Sequence, residues 1–497
     1  MNMKNSKKIV SSILAASVIL GISACNGGGG GGRNTDTTTA PVAAATTTTT
    51  AATTLDTDPV LKDIVAEKAE ELKLADVESV DKKLKWLSWY PKDETSADIE
   101  LFKAQYGIPE EGSDAYGAEY ADKVFVYYNV AYGDRYDRLG QMVAAGDSPD
   151  IFQFEIGYFP LSAIMNMFQP IDGIVDTTTE DWAKYRRTMD QFMWGGKNWC
   201  PIMDINPSYV LFYRRSVCED AGISDPWTLY ENGEWTWDAF LTAADTFQNS
   251  GEGKYVIDGW NIADYFIATT GTPMVGIEDG KLVSHLNDPA IERAMSFVET
   301  LASEDYRYPW DLNGYSTNFR AWMNGDTLFY ADGYWTYQEA TMQKAIKKFG
   351  WEENDVFYVP FPRDPNADGY YQMMKQDAWM LCAGSTNYDG YKAYINCCLQ
   401  ASKDEDVAAQ AREKSIRDFG WTEELLDAQK QMKENLLDVW DFKYGISVDC
   451  AKDGMDDSPT RLISAKPYTF VDAKYTQLRA ENEQTINSQI EQANSKA

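Results

Sequence analysis

Apolar and polar positions along the chain fall into patterns that mark its elements. Residues 83–89 (KLKWLSW) alternate with the period of a half-buried strand and are ended by Tyr90-Pro91. Residues 123–130 (KVFVYYNV) are rich in β-branched and aromatic side chains and predict a second strand; residues 150–154 predict a third. Helical periodicity lies between them, at 97–105 and at 135–145, the latter closed by Gly146. Strands alternating with helices predict a parallel sheet. Further strands are predicted at 208–213 (SYVLFY), 327–331 (TLFYA) and 378–383 (AWMLCA). Helices are predicted at 182–193, 289–301, 318–323, 404–437 and 476–493, and in the segment that carries Cys398. Thr236 stands before Trp237-Asp238 as an N-cap. There is no internal repeat, and the strands are too dispersed for a single Rossmann sheet. The chain reads as α/β.

The first sixty residues follow none of these patterns. Residues 1–24 read as a bacterial signal peptide, with Lys4, Lys7 and Lys8 ahead of a short apolar run from Ile9 to Leu20. The run ends Leu20-Gly21-Ile22-Ser23-Ala24-Cys25, which resembles a lipobox and makes Cys25 the expected lipidation site. Residues 25–59 hold six consecutive glycines, Gly27 to Gly32, and then a Thr/Ala tract. Such a composition buries no core and spans on the order of 30 Å as a coil. Residues 60–81 predict a charged lead-in helix. No other stretch approaches the roughly 20 apolar residues of a spanning helix. The chain reads as exported and held by lipid to the outer face of the cytoplasmic membrane.

Composition narrows the body that follows. A chain of 497 residues exceeds the roughly 250–300 at which one core stops growing, so two lobes are expected. Asp and Glu number 77 against 45 Lys and Arg, a formal charge of −32, which argues against nucleic acid as a partner. The single histidine, His285, excludes chemistry that needs two imidazoles. Beyond Cys25 there remain Cys200, Cys218, Cys382, Cys397, Cys398 and Cys450. Their spacing matches no small disulfide framework, which leaves buried thiols or one or two disulfides.

Six local patterns, in order, resemble the extracellular solute-binding proteins of family 1, the carbohydrate-binding components of ABC importers. They are Lys85-Trp86-Leu87-Ser88-Trp89-Tyr90, Ala144-Ala145-Gly146-Asp147-Ser148-Pro149-Asp150-Ile151, and Trp199-Cys200-Pro201-Ile202 leading to Val210-Leu211-Phe212-Tyr213-Arg214-Arg215. Then come Trp235-Thr236-Trp237-Asp238-Ala239-Phe240, Phe319 to Gly325 with Gly333-Tyr334-Trp335, and Gln376-Asp377-Ala378-Trp379. Cys200 stands where that family usually has Gly, and Arg214-Arg215 where it has Asn-Lys. The resemblance covers about 82–400. It implies a type II periplasmic-binding-protein-like fold: two lobes, each a sheet flanked by helices, joined by hinge crossovers near 200–206 and 376–384. The lobes are expected to be 82–202 with 382–430, and 203–381 with 431–497. It further implies a sugar ligand, ABC permease subunits as partners, no cofactor and no catalysis; a monomer is expected.

Ligands of open α/β sheets bind beyond the carboxyl ends of strands. Flat rings cover the C–H faces of a sugar, and carboxylates and amides take its hydroxyls. By that rule the candidates are Trp89 and Tyr90 after the first strand, and Phe154, Glu155 and Tyr158 after the third. Asp204 after a crossover, Trp335 after Asp332-Gly333, and Asp377 and Trp379 beside the second crossover complete the set. Phe154 fits a core position equally well. Asp364 to Gly369 (DPNADG) resembles half of an EF-hand loop, but its twelfth position is Lys375 rather than Glu, so it reads as a turn. Two other functions fit the residues: an exported carbohydrate-active enzyme with paired carboxylates, and the same receptor fold taking a peptide or amino acid.

Overall fold

The computed structural model describes residues 83–90, 92, 96–106, 124–309, 316–451 and 458–497, with a few positions between 64 and 77. The signal peptide, Cys25 and the tether lie outside the described residues, as does most of 60–81. Within that last segment Val65 and Ala69 are buried, and the Ala69 N–H donates to the Val65 carbonyl.

The first sheet grows from β1 (Leu84–Ser88), which is buried along almost its whole length. It pairs in parallel with β2 (Phe125–Asn129), in a register running from Leu84↔Phe125 to Ser88↔Asn129, and with β3 (Ile151–Gln153) through Trp86↔Ile151. The one partly open residue of β1 is Lys85, a polar position of the alternating run. The fourth strand, β12 (Trp379–Leu381), arrives from far along the chain and pairs antiparallel with β3, Trp379 opposite Gln153. The helices Ala97–Tyr106 and Tyr388–Lys403 pack on one another beside this sheet, where Tyr394 meets Phe125 and Phe102 edge-on.

The second sheet has the order β10 (Val356–Val359), β5 (Tyr209–Arg214), β9 (Thr327–Gly333), β6 (Tyr255–Gly259). Only β6 and β9 are parallel. The helix Trp237–Gln248 starts where expected, with Thr236 Oγ1 accepting from the Ala239 N–H at 3.3 Å. A hairpin of β7 (Val275–Glu278) and β8 (Lys281–Ser284) lies against the last helix, Tyr475–Asn494, which also packs on Pro289–Ser303.

A third, small sheet lies where the chain passes between the other two: β13 (Leu437–Val439), β11 (Tyr371–Asp377), β4 (Asp204–Pro207). β4 leads into the second sheet and β11 leads back to β12 of the first. After β13 the chain touches both bodies. Trp440 and Phe442 pack on Phe192, while the Phe442 N–H donates to the Val275 carbonyl. The buried Asp441 carboxylate takes the Met274 and Val275 N–H groups and the Lys443 ammonium.

Two helices differ from expectation. The segment 182–193 is a 3₁₀ stretch, Glu180–Tyr185, followed by the short helix Arg186–Asp190. Trp182, Tyr185 and Thr188 are buried at a spacing of three, which suits a three-residue turn. The long helix expected at 404–437 is two, Glu405–Phe419 and Glu423–Asn435, split at Gly420. Gly420 has φ +73°, and a Cβ there would lie 2.5 Å from Gln343 Oε1. All six described cysteines are free thiols. Among the described residues no helix is long and apolar enough to cross a membrane.

Candidate functional site

The small sheet sets a row of polar side chains between the two large ones. In the antiparallel pair of β4 and β11, Asp204 lies opposite Asp377 and Asn206 opposite Lys375. Directly paired residues share a face, so these four point the same way. Burial alternates along β11: Gln372, Met374 and Gln376 are buried, whereas Lys375 and Asp377 are partly open. Asn206 Nδ2 bridges the two acids, 3.1 Å from Asp204 Oδ2 and 3.5 Å from Asp377 Oδ2. Asp204 also takes Lys433 Nζ at 2.6 Å and the Tyr185 hydroxyl at 3.0 Å. Lys433 comes from the helix Glu423–Asn435, which packs on β4.

Loops after β1 and β3 of the first sheet supply one wall. The Tyr90 hydroxyl donates to Gln153 Oε1 at 2.5 Å. Trp89 is half-buried among Tyr90, Tyr132 and Phe152. Glu155 receives both Nε and a terminal nitrogen of Arg135, whose side chain is 1% exposed. The Arg135 guanidinium lies 3.6 Å over the Tyr132 ring. Tyr158 stacks on Tyr136 with centroids 3.6 Å apart. Lys92 pairs with the buried Asp98, donates to the Tyr394 hydroxyl at 2.7 Å and lies over Trp379.

The opposite wall belongs to the second sheet. At the end of β9, Gly333 turns the chain into Tyr334 and Trp335. The Trp335 ring folds back onto Gly333, where a Cβ would lie 2.1 Å from it. Tyr209 and Tyr334 meet Trp335 edge-on, and Lys375 Nζ sits 5.1 Å above its ring.

Electrostatics tie floor and walls together. Burial pushes the Tyr90 phenol well up, and the charges of Asp377 and Glu155 add to the shift. Burial pulls the Lys375 ammonium down, against the same two carboxylates. Burial raises Asp377, opposed by Lys375 and reinforced by Asp204. Burial is also the main cause for Tyr334, which is raised further by Asp377 and Asp204. Asp332, beside Gly333, is pushed up to about 7 by burial, although it accepts the Gly333 N–H.

Of the residues expected from sequence, Tyr90, Glu155, Asp204 and Asp377 come together here, and Trp335, 3% exposed, lies buried behind Lys375. Trp89 and Tyr158 flank it. Phe154 instead packs on Phe159 and Phe192, and Trp379, 4% exposed, packs on Trp86. Asp364 is fully buried and held by Arg293 Nε at 3.0 Å, as the anchor of a turn. Sequence reasoning missed Arg135, Asn206, Lys375, Tyr209 and Lys433. One signal for Arg135 was present: with Leu139 and Met142 it occupies the buried stripe of its helix, an odd place for a cation.

This arrangement, two α/β bodies joined by crossing strands with polar and aromatic groups between them, defines a two-lobed binding protein. The chain belongs to the bacterial extracellular solute-binding proteins, whose sequence model matches residues 113–413, more than half of its length. Solved structures share the fold. A sugar-binding protein from Xanthomonas citri aligns with a TM-score of 0.57 at 13% identity, covering 82% of this chain and 98% of that one. An ABC substrate-binding protein of Listeria monocytogenes in complex with cycloalternan gives 0.56 at 13%, again with 82% and 98% covered. The GacH receptor of Streptomyces glaucescens, solved unliganded and with acarbose, gives 0.54 at 15%, with 83% and 99% covered. No curated protein sequence matches the chain.

Proposed function

We propose that this protein is a receptor on the outer face of the cytoplasmic membrane, tethered through Cys25. It captures a sugar or oligosaccharide between its lobes and hands it to the permease subunits of an ABC importer. The observation that carries this reading is the row Asp204, Asn206, Lys375 and Asp377 on the crossing strands, walled by Tyr90 and Glu155 on one side and Tyr334 and Trp335 on the other. A ligand held there touches both lobes, and closing them about the crossing strands is a hinge motion. The GacH receptor and the Listeria protein take carbohydrate ligands on the same fold, which supports a sugar here. The charged groups suit binding rather than acid–base work. Glu155 is fixed by Arg135, and Asp204 by Lys433, Asn206 and Tyr185.

Titrating purified protein with glycan and peptide panels, read by tryptophan fluorescence, tests this. A saturable response to a glycan and none to peptides is expected; a response to peptides alone would retire the sugar. Product analysis after long incubation with the responding glycan should recover it intact. Turnover would make the protein an enzyme.

A further inference from the structure

Resting on the sugar reading, the site carries a finer inference about Lys375. Among the described residues, four cations stand in or beside the site. Arg135 is bonded to Glu155, Lys433 to Asp204 and Lys92 to Asp98. Lys375 is placed differently. Its ammonium caps the Trp335 ring at 5.1 Å, and among the described residues no hydrogen bond or ion pair closes on it. Asp377, two positions on along the same face of β11, meets no cation directly among the described residues and takes only the long bond from Asn206. Burial works against both charges. Charges held this way are stabilised by whatever supplies the missing hydrogen bonds.

An ammonium needs acceptors and a carboxylate needs donors. Neighbouring hydroxyls on a sugar ring offer both, because one oxygen accepts while the next hydroxyl donates. A ligand carboxylate offers acceptors only, and it would meet Asp377 as a like charge, Glu155 being paired with Arg135. We infer that Lys375 is a specificity-determining residue which, with Asp377, reads a vicinal pair of hydroxyls on a neutral sugar, while the Asp377 carboxylate turns away sugars that bear a carboxylate. Trp335 then acts by holding the ammonium over its electron-rich face, in the space that Gly333 leaves.

Calorimetry of the intact chain tests this with the best-binding neutral glycan, its monodeoxy analogues and its uronate counterpart. Wild type should bind the neutral sugar at least roughly tenfold more tightly than the uronate, and should lose affinity sharply for a deoxy analogue at one position. Lys375→Met should bind the parent sugar roughly ten- to a hundredfold more weakly, the scale of one charged hydrogen bond, and should no longer penalise that deoxy position. A merely structural lysine would leave deoxy discrimination intact. Thermal unfolding reports whether the variant folds. If Lys375→Met does not fold, Lys375→Arg and the wild-type uronate and deoxy arms still decide. Wild-type affinity and discrimination in Lys375→Met, or tighter binding of the uronate, would overturn the inference while leaving the sugar reading in place. No binding of any glycan by wild type would remove the sugar reading, and this inference with it.

Discussion

Arg135 shows how much of this site is settled by single buried side chains. Its guanidinium is out of water, gripped by Glu155 and laid on Tyr132, so removing one partner strands the other charge. Arg135→Met should lower the unfolding free energy by about 3–5 kcal/mol, and adding Glu155→Met should restore most of it; urea unfolding of the three proteins checks this. Asp332 offers a test through pH. Its folded-state pKa, about 7, lies above the ordinary 3.8, so the folded chain holds that proton more tightly than the unfolded one. The stability it contributes is full below pH 3.8 and is lost as the pH rises through about 7. Asp332→Asn should remove that loss, gaining on wild type by up to about 4 kcal/mol between pH 4 and 8. Unfolding both proteins at the two pH values decides it. At this scale the sequence was half legible. Glu155 was found because it follows a strand, but its partner lies on a helix twenty positions earlier, and only the fold joins them.

At the scale of elements, strands and caps are where local pattern and structure agree best. Thr236→Ala removes the oxygen that takes the Ala239 N–H and should cost about 1 kcal/mol, visible as a shift in the urea midpoint with unchanged slope. Gly333→Ala drives a methyl group into the Trp335 ring. It should cost roughly 1–3 kcal/mol in unfolding free energy and also weaken ligand binding; a variant with unaltered affinity would show that Trp335 is not part of the site. The first two strands of the first sheet were legible because one alternates and the other is rich in β-branched and aromatic side chains. Those of the small sheet, DINP, YQMMKQD and LDV, were not. Their site-facing positions are Asp, Asn and Lys, and polar residues in short segments read as loop. The helix break at Gly420 was missed although its signal is local: a glycine in the left-handed region closes the helix Glu405–Phe419.

The molecule as a whole joins two α/β bodies through a sheet whose partly open face is the proposed floor of the site. Its class was legible in the sequence because six short patterns keep their order over most of the chain, and the family match agrees. The site itself was legible only in part, because the crossing strands set its floor by register rather than by proximity in sequence. A crystal structure with the responding glycan bound tests the account most directly. Sugar density is expected over Asp204, Asn206, Lys375 and Asp377, within hydrogen-bond reach of Lys375 and Asp377 and in contact with both lobes. Density confined to one lobe, or lying away from the crossing strands, would contradict it.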